Sequence, residues 1–186
     1  MAAPRFLPVV CAVISAISLW TGPTETARAA GFVDVEVSQP VDTRRIEVGY
    51  PDGRKSSLED ALPSGPAIVH FWAMWCVPCR EELPKLAAYR DALAAKGHAD
   101  RLVIVALEKG DHARIETFLA EKLNLAGLPS LRSGDGRAGP AFGLFGMPAT
   151  ALIDGKRHIV MLGRGPVEWE DEGLRARLER HLSGKK

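Results

Sequence analysis

The run "GPAIVHFWAMWCVPC" (65–79) limits most of what this chain can become. It is almost wholly apolar, rich in β-branched and aromatic side chains, and ends on two cysteines three apart. A continuous run of that kind reads as a strand covered on both faces, with no solvent side. From Pro78 the period changes. Leu83, Leu86, Ala87, Leu93 and Ala94 recur at helical spacing until Gly97. Pro84 falls inside that helix and is expected to kink it. "RLVIVALE" (101–108) reads as a second buried strand, and "DHARIETFLAEKL" (111–123) as an amphipathic helix capped by Asp111.

The flanks fill in the order of elements. "RRIEVGYPDGRKSSLEDAL" reads as two short strands around a Pro-Asp-Gly turn, then one helical turn. "LPSLRSGDGRAGPAFGLFG" is turn-rich, with room for a short strand and a short helix. "PATALID" (148–154) and "HIVMLGR" (158–164) are strands around Gly155. "EWEDEGLRARLERHL" (168–182) is a closing helix, acidic in its first turn and basic in its last, as the helix dipole favours. The order ββ, βαβα, ββα argues an α/β class with a mixed sheet.

Residues 1–29 have another character. Arg5 gives a positive start, Phe6–Trp20 is an apolar stretch of 15 residues, and "ARAA" offers small residues for cleavage. This is the layout of a secretory signal peptide cut after about Ala29. The alternative, an uncleaved anchor, asks for about 20 apolar residues. Residues 30–44 show little pattern and are expected to form a flexible segment, leaving 45–184 as one domain. At 46% hydrophobic and 25% charged, the composition is that of a globular chain. Cleavage removes two of the 24 basic and one of the 23 acidic residues, so the remainder is neutral. Nothing in that charge points to a nucleic acid or a membrane surface. Cys11 leaves with the leader, and Cys76 and Cys79 remain in a compartment where thiols tend to oxidise.

Several chemistries use two cysteines at this spacing. Haem attachment needs His after the second Cys, where Arg80 stands. Structural zinc needs four ligands, and the five His are scattered. A staple gains little from so short a loop. Two thiolates can hold Cu(I), so a copper carrier stays open. The redox reading has its own warrant. Cys76 falls where a strand gives way to a helix, and free N–H groups and the dipole there favour a thiolate. Cys79 lies one turn on, on the same face, placed to attack a mixed disulfide. Pro78 stiffens the first turn, and Trp75 lines the approach to Cys76. Glu82, three residues past Cys79, shares its helix face and offers a carboxylate to take its proton. Glu81 reads as a solvated neighbour.

"FWAMWCVPCREELPKL", "GMPATALID" and "GPVEW" resemble the thioredoxin-like TlpA/ResA/CcmG-type extracytoplasmic thiol–disulfide oxidoreductases, over residues 46 to 182. The resemblance implies a thioredoxin fold, a central mixed sheet flanked by helices, with an added N-terminal β-hairpin. It implies Cys76 as attacking and Cys79 as resolving cysteine, joined as a redox-active disulfide. It makes Pro148 a cis-proline facing that disulfide, with the backbone of Met147 pairing with a substrate strand. ResA-type members have an acid where Glu82 stands. The implied activity is reduction of a client protein's disulfide, in cytochrome c maturation or copper-centre assembly, without a cofactor or metal. A membrane thiol donor would recharge it. The expected location is periplasmic or otherwise extracytoplasmic, and the expected state a monomer. A disulfide-donating oxidase is the alternative within the same chemistry.

His70 departs from the pattern. It stands six before Cys76, where thioredoxin has a buried aspartate and TlpA-type relatives often have asparagine. The favoured reading is a core histidine bonded to backbone, and the other is a proton relay to Cys79. Phe71 and Trp72 are expected in the core. His98, His112, His158 and His181 are expected at the surface.

Overall fold

The computed structural model describes residues 32–35 and 39–184. The expected leader, with Cys11, lies outside the described residues. Among the described residues no helix is long and apolar enough to cross a membrane. The chain runs β1 (Phe32–Asp34), β2 (Glu47–Gly49), β3 (Lys55–Ser57), α1 (Leu58–Ala61), β4 (Ala67–Trp72), α2 (Val77–Ala95) and β5 (Leu102–Leu107). It continues as α3 (Ala113–Leu123), β6 (Leu131–Ser133), α4 (Ala138–Phe142), β7 (Ala149–Ile153), β8 (Ile159–Arg164) and α5 (Glu172–Leu182). The strands form one mixed sheet in the order β1-β8-β7-β4-β5-β6-β2-β3.

The apolar run becomes β4, parallel to β5 and antiparallel to β7, with every residue buried. Its side chains alternate between two cores. Ile68 and Trp72 join Ile104 and Ala106 of β5 under α2, α3 and α5, through Leu83, Leu86, Ile115, Leu119, Leu174 and Leu178. Ala67, Val69 and Phe71 join Val103 and Val105 on the other face, beneath Leu58 of α1 and Phe142 of α4. The crossovers β4-α2-β5 and β5-α3-β6 step in one direction, so their helices fall on one face.

The N-terminal hairpin is present. β2 and β3 pair antiparallel around Gly53, whose φ of +80° suits a turn glycine, and β2 adds one rung to β6. Ser57 and Asp60 cap α1 reciprocally. Arg157, at φ +69° in the β7–β8 turn, binds both oxygens of Glu59 at 3.0 and 3.1 Å and so ties α1 to that turn.

Four expectations need revision. Residues 30–44 read as patternless, yet Phe32–Asp34 pairs with β8 as an edge strand, because Phe32 covers Gly163 and joins the core. The closing helix begins at Glu172, not residue 168, because Asp171 caps it and Trp169 turns inward. Asp111 is not the N-cap of α3. His112 holds that position, and Asp111 binds Ala113 N from one residue further out. His112 is buried, with Nε2 2.7 Å from the Ser130 carbonyl. The helix with Pro84 inside continues past it to Ala95.

Candidate redox site

Cys76 is the N-cap of α2, in extended backbone conformation, and its sulfur accepts from Cys79 N at 3.2 Å. Val77 and Pro78 open the helix, where a proline costs no hydrogen bond. Cys76 and Cys79 are disulfide-bonded, with Cα atoms 5.3 Å apart. Cys76 keeps a sliver of exposure and Cys79 none. Trp75 and Val77, on either side of Cys76, are both exposed. The loop is held from below, where Met74 N donates to Glu108 Oε1 at 2.7 Å.

The Met147–Pro148 peptide is cis. The last β4–β7 pair is Phe71 with Ala149. Continuing that register sets Pro148 abreast of Trp72 and Met147 abreast of Ala73, at the root of the cysteine loop. Pro148 is buried, and Met147 is half-buried between the two cores.

Beneath the cysteines, on the same face of α2, Glu82 is buried. Its Oε1 accepts from the Trp169 indole N–H and from Val167 N, while Oε2 has no partner among the described residues. Burial pushes its pKa up to about 7, against the pull of those two hydrogen bonds. His70 reaches the same place from β4. Its Nδ1 lies 2.9 Å from Thr150 Oγ1 and 4.0 Å from Glu82 Oε1. Burial lowers its pKa to about 3, so the ring is neutral near pH 7 and the contact is no ion pair.

The expected backbone partner for His70 is therefore replaced by the Thr150 hydroxyl. The reason is topological: backbone groups of β4 are taken up by ladders on both sides. Trp169 completes the floor, edge-on to His70 and stacked on Tyr89 at 5.3 Å.

The structure thus brings Cys76, Cys79, Glu82 and His70 together, with Trp75 at the rim and Met147–Pro148 alongside. Trp169, Thr150 and Glu108 were not foreseen. The signal for Trp169 lay in "GPVEW": a buried carboxylate needs donors, and an indole inside a motif is a ready one. A cavity of about 400 Å³ lined by Tyr50, Leu62, Leu102 and Ser130 opens by the N-terminal end of β5, away from this site.

The description Redoxin belongs to a family whose pattern matches residues 39–178. The thiol:disulfide interchange protein DsbE of Tatumella citrea is 33% identical over 142 residues, covering 73% of this chain and 71% of that one. The protein of the same name from Escherichia coli (strain K12) is 31% identical over 140 residues, with the same coverage of 73% and 71%. Among solved structures, a putative DsbE from Chlorobium tepidum superposes with a TM-score of 0.57 at 21% identity, covering 82% of this chain and 97% of that one. StoA from Bacillus subtilis gives 0.55 at 23% identity, covering 74% and 98%. These likenesses show a thioredoxin-like fold.

Proposed function

The chain belongs to the Redoxin family and is a thiol–disulfide oxidoreductase, and from that premise we propose that it reduces disulfides of a client protein outside the cytosol. The observation that carries this reading is a cysteine pair at a helix N-terminus above a buried carboxylate with one free oxygen.

In the reduced protein, the N–H groups at the start of α2 stabilise a Cys76 thiolate. That thiolate attacks one sulfur of the client disulfide. The client S–S bond breaks, a Cys76–client disulfide forms, and the departing client thiolate takes a proton from water. Cys79 then gives its proton to Glu82 and attacks Cys76 Sγ. The second client thiolate leaves and is protonated, and the Cys76–Cys79 disulfide closes. Two electrons have passed to the client. Trp75, Pro78 and Met147–Pro148 shape the approach, with Met147 backbone offered to an extended client strand. No cofactor takes part.

A membrane thiol donor returns the pair to the dithiol. The resemblance supports a role in cytochrome c maturation or copper-centre assembly, and the relatives named for thiol:disulfide interchange support the exchange chemistry. The proposed location is periplasmic, behind a signal peptide over residues 1–29, with the domain that follows a monomer.

Equilibration with glutathione tests the direction of electron flow. A reductase is expected to have a potential below roughly −200 mV, and a value near about −120 mV would make the protein an oxidant instead. Cys79→Ser is expected to accumulate a Cys76–client mixed disulfide, visible on non-reducing gels and lost in Cys76→Ser. Equal adduct from both variants would overturn the assignment of the attacking cysteine.

A further inference from the structure

Phe145 is 89% exposed, the most exposed large hydrophobic side chain among the described residues. The others are Val33, Trp75 and Val77, and the last two flank Cys76. Two of the four thus flank the attacking cysteine, and Phe145 stands two residues before the cis Met147–Pro148 bond, although burial elsewhere would favour folding. The loop is built to hold this ring outward. Gly143 ends α4 in the left-handed region, with φ of +62°, and Leu144 packs inward against the core as an anchor. Arg164 ends β8 opposite Ala149, and its guanidinium carbon lies 5.6 Å from the Phe145 ring centroid. Among the described residues no carboxylate lies within 4.0 Å of Arg164, so its charge is unmatched.

We propose that Phe145 and Arg164 are specificity-determining residues. On this assignment they read an extended client segment with an apolar side chain beside its reactive cysteine and a carboxylate near it. The inference rests on the reductase reading and names its client's chemistry. The apolar side chain packs on the Phe145 ring. The carboxylate meets Arg164, which the Phe145 face holds in place. Phe145 shares a loop with Met147, and Arg164 pairs with Ala149 just past Pro148, so an extended strand lying along Met147 reaches both. Both side chains are too exposed to support the core, so their presence at this rim is explained by contact with a partner.

The test compares disulfide-bonded peptides with Leu or Ser beside the cysteine, and Asp or Lys two residues on, against hydroxyethyl disulfide. Wild type is expected to favour the Leu/Asp peptide about tenfold in kcat/KM. Phe145→Ser should flatten the Leu/Ser preference and Arg164→Gln the Asp/Lys preference. In both variants the ratio of peptide to hydroxyethyl disulfide reduction should fall by about five- to tenfold. An unchanged ratio would overturn the inference. So would a wild-type dimer that Phe145→Ser dissociates, since the patch would then belong to a second copy. Wild type that reduces neither peptide nor hydroxyethyl disulfide would instead overturn the reductase reading, and this inference with it.

Discussion

Glu82→Gln is expected to gain stability on the oxidised wild type as pH rises between about 4.5 and 7, where the loss at Glu82 opposes the gain from the buried neutral His70 that both proteins share. Burial raises the Glu82 pKa from 4.5 to about 7. The folded state therefore keeps a proton that the unfolded chain releases, and that contribution is fully present below the unfolded value. It fades as pH climbs through the folded one. The slope is at most about 1.4 kcal/mol per pH unit, so the variant gains roughly 2 to 3 kcal/mol on wild type between pH 4 and 8. Urea midpoints at pH 4, 6 and 8 measure it, and parallel curves for the two proteins would show that Glu82 is not the titrating group. The same substitution removes the acceptor for the Cys79 proton. Release of client from the mixed disulfide should slow by about a hundredfold and lose its rise with pH near 7.

Trp169→Ala should cost about 3 to 5 kcal/mol, the usual range for emptying a buried aromatic site. The indole is fully buried, stacked on Tyr89 and edge-on to His70, and it is a donor to Glu82. Trp169→Phe separates these roles. It keeps most of the packing but withdraws the N–H, leaving Val167 N as the donor to Glu82 Oε1. The Glu82 pKa should then rise further, because the lost hydrogen bond favoured the charged form. Carbon-13 NMR of the labelled carboxylate would follow the titration. An unmoved midpoint in Trp169→Phe would mean that the indole does not hold the carboxylate.

The central elements were legible because each carries a physical signature in a short window. The apolar run read as a two-faced strand, and the Cys-Val-Pro-Cys stretch as the opening of a helix. The site was less legible where it depends on residues far apart in the chain. Glu82 could be set on the Cys79 face from spacing alone, but not its burial, which comes from Trp169 closing over it from the segment before α5. His70 was visible as a departure, but its partner was not, since Thr150 faces it only through the β4–β7 register. His112 misled because its chain neighbours are polar, while its burial comes from the β6 approach at Ser130. The edge strand at Phe32–Asp34 escaped notice for a related reason. Three residues carry no periodicity, and the groove that accepts Phe32 is made by a glycine on β8.

Both borders of the sheet are made by strands that precede its centre in the chain. β1 closes one side against β8, and β2 with β3 closes the other against β6. Phe32 meets Gly163, and Gly49 meets Arg132, so neither early segment finds its partner until most of the chain exists. β1 and the β2–β3 hairpin therefore stay undocked until late, and their closure comes after the βαβ centre has material to assemble. The sheet is finished by strands that precede its centre: β1 and the β2–β3 hairpin act as bolts drawn across after the door is shut.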